Sequence, residues 1–403
     1  MSRILLLYHY FHPSQVVSSR LFSHLAEDLV SAGHEVTVFT GNRVFRSYAN
    51  LLRRETWHGV NIRRFSFPCT RQGWSIGRLA NSAVLQMKWT HAVKKDSFDV
   101  VILGTDPQFS YLMFPFLRWK LPQAKLIHWV FDLYPEAVLV NFPAWIVWFA
   151  QCFKWIAAWA YRRVNVMVDI GSCMRKRLQG YHHKAEERTL TPWAVQENDS
   201  LPPVDPGIRK ELFGNAKLAL LYSGTIGYAH DIHPFIELAR ECRKRNLDVG
   251  FCFAGYGNKY QQQTACLTEE DTNIRLASFL REGELLPRLA SADIHLISLR
   301  ENWDGIVVPS KCFGAFATGR PVLFSGPEDC SLTQYCRDYD IGFQFDRNHI
   351  PEVADRLANL LQHPEKLTEM QQRALQTYQE HFSRKVIVSQ WLELLKDTTP
   401  TQK

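Results

Sequence analysis

The chain has 403 residues, 46% of them apolar, enough for two ordinary domains of about 200 residues each, so two cores are expected instead of one. Nine cysteines, an odd number with no Cys-x-x-Cys spacing, exclude a disulfide framework or a zinc-ligand pattern and read as reduced cytosolic thiols. The net charge of +7 is unevenly placed: residues 1–200 hold 24 Lys and Arg against 14 Asp and Glu, a net of +10, while residues 201–403 hold 23 against 26, a net of −3.

The basic first half suggests an anionic partner. Nucleic acid is not expected, because no helix-turn-helix, zinc-finger or RNP signature accompanies the charge. An anionic membrane surface is the remaining candidate. After Arg3 the apolar run Ile4 to Tyr8 is too short for a signal-peptide core and reads as a first buried strand, Arg3 to His9.

Ser18 or Ser19 can cap a helix carrying Leu21, Phe22, Leu25 and Leu29 on one face, ended by Gly33-His34. Glu35 to Thr40 is the second strand, so the chain opens with a βαβ unit whose ligands belong at the C-terminal strand ends of a parallel sheet. Asp99 to Gly104 is a further strand, with Pro107 able to start a helix. Lys125 to Phe131 is another, and it runs into Asp132-Leu133-Tyr134-Pro135-Glu136. Asp132 therefore stands where this architecture places function, or else caps the next turn.

Phe142 to Tyr161 is aromatic on nearly every side, with Lys154 its only charge and Arg162-Arg163 following. Such a helix is either wholly buried or lies at a lipid interface, where Trp, Tyr and flanking Arg concentrate; Pro143, Gln151 and Lys154 argue against a span. Val164 to Ile170 is a strand, Ser172 is placed to cap the helix Cys173 to Leu178, and Thr189 to Val195 is the last strand of the first domain. Gln196 to Gly207, with Pro202, Pro203 and Pro206, is the linker. The domains expected are residues 1–200, residues 208–382, and a C-terminal helix, 383–403, packing back on the first domain.

Leu218 to Ser223, then Gly224-Thr225-Ile226-Gly227, then a helix from about His233 to Arg245 form the strand, glycine loop and helix of a nucleotide site. Val249 to Gly257 and Asn273 to Leu276 are strands, Glu284 to Ala290 is a helix, and Pro351 to Lys396 is helical with a break at His363-Pro364. Between the apolar runs Ile294 to Leu299 and Val322 to Phe324 lies the most informative stretch, Glu301 to Arg320. It holds a short helix starting at Pro309 and ending at Gly319. Gly305 precedes that start and Ser310 and Lys311 follow it, so N–H groups, a hydroxyl and a cation converge on one anion, most naturally a phosphate. A solvated helix residue is the plainer reading of Lys311.

These same residues carry a resemblance. Glu301-x-x-Asp304-Gly305-x-Val307-Val308-Pro309-Ser310-Lys311, with Ala317-x-Gly319-Arg320-Pro321-Val322, resembles the donor segment of bacterial family 4 glycosyltransferases, nearest the branch that builds cell-surface polysaccharides. The run Gly33 to Val38, the acceptor loop Asp132 to Glu136 and the diphosphate loop Gly224 to Gly227 extend it over roughly residues 3–325. It implies an α/β GT-B fold of two Rossmann-like domains facing each other across a cleft, with C-terminal helices. It also implies a retaining, metal-independent transfer from a nucleotide sugar to a lipid-linked oligosaccharide, without a cofactor, by a protein peripheral on the inner face of the cytoplasmic membrane and docked through 142–161.

Under this resemblance Lys311, Ser310 and Gly227, with Gly224, receive the diphosphate, where fixed positive groups stabilise the leaving group, and Thr225 and Gly305 belong to the donor site. Glu301 and Asp304 hold the donor sugar, Phe279 lines the base, Asp132 faces the acceptor hydroxyl or the transferring face of the sugar, and Ser18 and Arg20 serve the acceptor or phosphate side. There are departures. Val16 to Ser19 replaces a glycine loop, Tyr228 to Asp231 stands where relatives carry an Arg and a Lys, and Gly314 stands where many have a ribose-binding Glu. Two other readings stay open: a nonhydrolysing sugar-nucleotide epimerase, and a catalytically silent nucleotide-sugar-binding subunit.

Overall fold

Ile4 to Leu7 are wholly buried, and they form the strand around which the first sheet is laid in this computed structural model. The structure describes all residues except 46–49, 69–74, 141, 143, 144, 146, 147, 149, 150, 258, 279–283 and 397–403. The chain divides into two compact units: Met1–Thr191 with Gly305–Val307 and Ile387–Lys403, and Pro192–Asp304 with Val308–Val386.

Unit 1 holds eight strands: β1 (Arg3–Leu7), β2 (Glu35–Gly41), β3 (Arg54–Trp57), β4 (Val60–Phe65), β5 (Val100–Gly104), β6 (Lys125–Trp129), β7 (Val166–Asp169) and β8 (Glu186–Thr189). Their order is β3-β4-β2-β1-β5-β6-β7-β8. Every pairing is parallel except the β3–β4 hairpin, whose turn residues His58 and Gly59 both have positive φ, +47° and +80°, as a tight two-residue hairpin turn requires. β1 lies between β2 and β5, so the loops after β2, β1, β5 and β6 emerge side by side at one edge.

The helix Val17–Ser31 buries Leu21, Phe22, Leu25 and Leu29 against this sheet, as its 3.6-residue period dictates. Ser18 and Ser19 are not its cap: they lie inside it, after Val16, and buried Ser19 donates its hydroxyl to the Ser14 carbonyl. Ser172 likewise lies inside its helix, Ser172–Gln179, behind Gly171. Pro107 starts no helix; a 3-10 turn, Ser110–Met113, leads into the helix Phe114–Lys120. Leu190 to Val195 is not strand, because pairing with β7 ends at Thr189. The last helix, Arg384–Lys396, places Trp391 with its ring centroid 5.0 Å from that of Trp129 in the unit 1 core.

Unit 2 is a six-stranded, wholly parallel sheet of β9 (Leu218–Thr225), β10 (Val249–Tyr256), β11 (Ile274–Ala277), β12 (Ile294–Ser298), β13 (Val322–Ser325) and β14 (Gly342–Phe345), in the order β11-β10-β9-β12-β13-β14. Helices His233–Lys244 and Ile350–Gln362 cover one face with Phe235, Ile236, Val353 and Leu357. The expected linker supplies a true cap: Asp205 accepts from the Gly207 and Ile208 N–H groups at 2.8 and 3.1 Å and starts the helix Pro206–Phe213.

The helix between β12 and β13 is Lys311–Ala317, two residues shorter at its start than the sequence predicts, because Pro309 and Ser310 stay outside it. Its end is the expected glycine stop. Gly319 has φ +65°, its N–H reaches the Phe316 carbonyl, and Arg320 N–H reaches that of Ala315.

Candidate functional site

Strand alternation puts Tyr222 and Gly224 on the same side of β9, and Lys311 lies across both. The Lys311 Nζ donates to the Tyr222 hydroxyl at 2.8 Å and the Thr225 carbonyl at 2.7 Å, and it stands 4.4 Å from the Tyr222 ring centroid. Gly224 makes the crossing possible: its φ is +129°, and a Cβ there would sit 2.9 Å from Lys311 Cε. Burial pushes the lysine amine down to about 7 and the Tyr222 hydroxyl above its ordinary value.

The loop that follows is tied down on both sides. Ile226 N–H donates to the Tyr256 carbonyl at 2.7 Å, Arg300 N–H to that of Ala229 at 2.9 Å, and the Arg300 guanidinium to that of His230 at 3.2 Å. His230 donates through Nδ1 to the Ser298 carbonyl at 2.9 Å; burial and then the Lys311 charge push it down to about 3, so it is neutral at physiological pH. Gly227 faces open space, with no heavy atom within 4 Å of where a Cβ would be. Gly224, Thr225 and Lys311 are thus brought together, beside an open glycine backbone. An enclosed cation held by neutral oxygens next to free loop backbone is a receptor for an anion.

Glu301 opens a 3-10 turn, Glu301–Trp303, and its carbonyl accepts from Asp304 N–H at 3.2 Å. Burial, then the charges of Asp304, Asp346 and Glu328, hold the Glu301 carboxyl above the usual range. Ser310 stands at the N-cap of Lys311–Ala317 with no side-chain cap bond. Gly314 has room: the nearest neighbour of a Cβ there would be Leu289 Cδ1 at 3.6 Å. Phe279 lies outside the described residues.

In unit 1, Asp132 follows β6, and its N–H and that of Phe131 reach the Thr105 hydroxyl after β5, each at 3.3 Å. It caps no helix; the next one, Glu136–Leu139, starts from Pro135. Burial and the neighbouring charge of Asp106 push its carboxyl up to about 6, which makes it able to take or give a proton near neutrality. Leu133 N–H donates to Ile306, and Gly305, with φ +66°, packs on the Cys173 carbonyl; all belong to unit 1. Ser18 bonds the Tyr8 hydroxyl, and Arg20 donates to Gln15 at 3.3 Å. Sequence reasoning missed Tyr222, Arg300 and Asp106. Tyr222 alone had a local signal, its two-residue spacing from Gly224.

The aromatic stretch is described for Phe142, Trp145, Trp148 and the helix Gln151–Tyr161. That helix is not wholly buried: Ala157, Ala160 and Tyr161 face the core, while Trp155 is 79% exposed, and Phe153, Ile156 and Trp159 are exposed with it. Phe116 and Trp119 of Phe114–Lys120 are exposed too, a contribution the sequence did not reveal. Among the described residues no helix is long and apolar enough to cross a membrane.

Two parallel α/β sheets of this kind, followed by C-terminal helices, define the GT-B fold. The same fold is found across 98% of this chain and 99% of a sucrose-phosphate synthase from Thermosynechococcus elongatus, with a TM-score of 0.73 at 14% identity. It recurs in WaaG, a glycosyltransferase involved in lipopolysaccharide biosynthesis (TM-score 0.64, 13% identity, 99% of this chain and 100% of that one). Anabaena HepE, solved with UDP and glucose, is similar as well (TM-score 0.67, 13% identity, 98% and 100%). Residues 18–193 match the family of glycosyl transferase 4-like domains. A curated relative, a probable glycosyltransferase, WbjE of Pseudomonas aeruginosa, is 23% identical over 292 residues, 69% of this chain and 70% of that protein. The chain thus carries a glycosyl transferase 4-like domain within a GT-B fold.

Proposed function

We propose that this enzyme transfers a sugar, with retention of configuration, from a nucleotide sugar to a lipid-linked saccharide during surface-polysaccharide synthesis at the inner face of the cytoplasmic membrane. The observation that carries the donor half is the Lys311 ammonium crossing Gly224 onto Tyr222 and Thr225. Lys311, Gly227 and Ser310 receive the diphosphate, and Arg300, tied to the same loop, supplies the positive charge that Tyr228 to Asp231 do not. A preorganised cation stabilises the leaving diphosphate without moving during the reaction. Glu301 and Asp304 bind hydroxyls of the donor sugar, and Asp132 faces the acceptor.

The acceptor half rests on chemistry and likeness. WaaG acts in lipopolysaccharide biosynthesis, and the exposed tryptophans of unit 1 suit a bilayer interface, where the indole ring sits among headgroups. The segments 110–120 and 151–163 carry Arg118, Lys120, Lys154, Arg162 and Arg163 and no acidic residue, which complements an anionic leaflet. Incubating the purified enzyme with a panel of radiolabelled nucleotide sugars and a lipid extract tests the reading. Label in the lipid phase is the expected result; label released only as free sugar, for every donor, overturns it.

A further inference from the structure

The outer part of the first sheet holds a feature that sugar transfer does not use. A cavity of about 560 Å³, a size typical of small-molecule sites, lies between the face formed by β2, β3 and β4 and the segment after the helix Ser75–Ala92. β4 is separated from β6, which leads into Asp132, by β2, β1 and β5, so the cavity stands roughly 19 Å to the side of that loop at about 4.8 Å per strand.

Strand register arranges its floor in two rows. Arg54 of β3 pairs with Arg63 of β4, which pairs with Phe39 of β2; two residues along, Thr56 pairs with Asn61 and Asn61 with Thr37. Residues two apart share a face, so one row offers two guanidinium groups and a ring, and the other two hydroxyls and an amide. The Arg63 guanidinium is held in place, 5.5 Å from the Phe39 ring centroid and 5.0 Å from that of Phe65.

Like charges directly opposite each other destabilise a strand pair, and no acid relieves this one. Among the described residues Arg54, Arg63 and Lys94, all in the lining, make no ion pair; the one lining carboxylate, Glu55, alternates to the other face of β3 and is held by Arg64 at 2.5 Å. Asp99 is taken by Arg3 at 2.8 Å, and the Arg3 charge faces Glu35 and Asp96 as well. Lys120 donates to the Thr90 and Val93 carbonyls at 2.7 and 2.9 Å, which neutralises the negative end of the helix Ser75–Ala92. Protection of a sheet edge accounts for Arg54 on the edge strand β3, but not for Arg63, whose strand is paired on both sides. An unbalanced guanidinium pair in a concave place suits a phosphate, each fork meeting two of its oxygens. The hydroxyl and amide row stands about 7 Å away, two residues at roughly 3.4 Å each, which is the span of a pyranose with its substituents.

We infer that this cavity binds a sugar phosphate, with the phosphate on Arg54 and Arg63 and the sugar hydroxyls on Thr37, Thr56 and Asn61. Lys94 adds charge beside the phosphate, and Phe98, edge-on to Phe39 at 6.4 Å, offers a ring to the apolar sugar face. Occupation removes the repulsion between the arginines and so stabilises unit 1. The site belongs to unit 1 and Lys311 to unit 2, and it does not depend on which sugar is transferred.

Calorimetric titration of the full-length enzyme with glucose 1-phosphate, glucose 6-phosphate, mannose 1-phosphate and inorganic phosphate tests it. Saturable binding of at least one sugar phosphate is expected, unaffected by UDP and retained in Lys311→Ala. Arg54→Gln and Arg63→Gln should each weaken it at least about tenfold by removing one charge-assisted fork, with far-UV circular dichroism and transfer in the absence of sugar phosphate unaltered. Thr56→Val should weaken the sugar phosphate several-fold and leave inorganic phosphate as before. Arg54→Gln should also raise the Tm of the free enzyme at low salt and abolish the rise that sugar phosphate brings to the wild type. No binding by any of the four, binding lost with Lys311→Ala, or binding equal in the wild type and both arginine variants overturns the site. Inorganic phosphate bound as tightly as every sugar phosphate overturns the assignment of its ligand.

Discussion

Lys311 reaches its Nζ to within 2.8 Å of the Tyr222 hydroxyl, on a strand 89 positions earlier in the chain. The bond explains why the lysine points across Gly224 into the loop and not away from the helix that carries it. It also carries a cost: an ammonium enclosed here holds its proton less well than in water, and only an anion would restore the balance.

The pH dependence follows from that. With its amine at about 7 in the folded protein and near 10.5 when unfolded, Lys311 makes the folded state bind fewer protons between these values, so stability rises with pH across this window. Lys311→Met is therefore expected to raise Tm more at pH 6 than at pH 10, by differential scanning calorimetry. Lys311→Ala should lower transfer at least tenfold, about 1.4 kcal/mol or more of barrier. Calorimetric titration of UDP in two buffers of different ionisation enthalpy should show proton uptake at pH 8 and none at pH 5.5.

Asp132 behaves in the opposite sense. Its carboxyl is raised from 3.8 to about 6, so the folded state binds more protons between these values and loses stability as pH climbs through them. Asp132→Asn is expected to raise stability at pH 8 by up to about 3 kcal/mol and to leave it unaltered at pH 3. Transfer by the wild type should show a rising limb near pH 6, and the Asn variant should be at least about 100-fold slower.

Two glycines on adjoining loops, Gly227 after β9 and Gly257 after β10, separate backbone need from ligand access. Gly257 has φ +130°, and a Cβ on it would strike the Ile226 carbonyl; Gly257→Ala is expected to cost about 2 kcal/mol in a denaturant titration. Gly227 faces open space, so Gly227→Ala should leave the unfolding midpoint within error and weaken UDP binding several-fold by filling the ligand's approach.

The aromatic face is separable from the catalytic chemistry. Replacing Trp119 and Trp155 together by Ser, both well exposed, should leave Tm unchanged. Flotation with vesicles of phosphatidylglycerol and phosphatidylethanolamine should recover the wild type with the lipid and leave the double variant at the bottom of the gradient.

Much of the molecule was legible locally. Continuous apolar runs such as Ile4 to Leu7 and Ile294 to Leu299 can only be buried parallel strands once helices intervene, and the Gly319 stop follows from the need for positive φ. Capping serines were misjudged, because a hydroxyl placed to cap does so only where the preceding backbone turns; Val16 and Gly171 made those turns instead. The β3–β4 hairpin escaped notice because its two-residue turn, His58-Gly59, lacks the usual Asn or Asp.

The order of apolar and polar residues along the chain determined by itself that there are two α/β sheets with glycine and lysine near a strand end, since periodicity and turn chemistry act over a few residues. Tertiary structure alone decided that Lys311 meets Tyr222, that Asp106 charges the surroundings of Asp132, and that Trp119 shares exposure with Trp155. Those pairings join segments brought together by sheet order, and burial, which shifts a proton or leaves an indole in solvent, is a property of the packed whole.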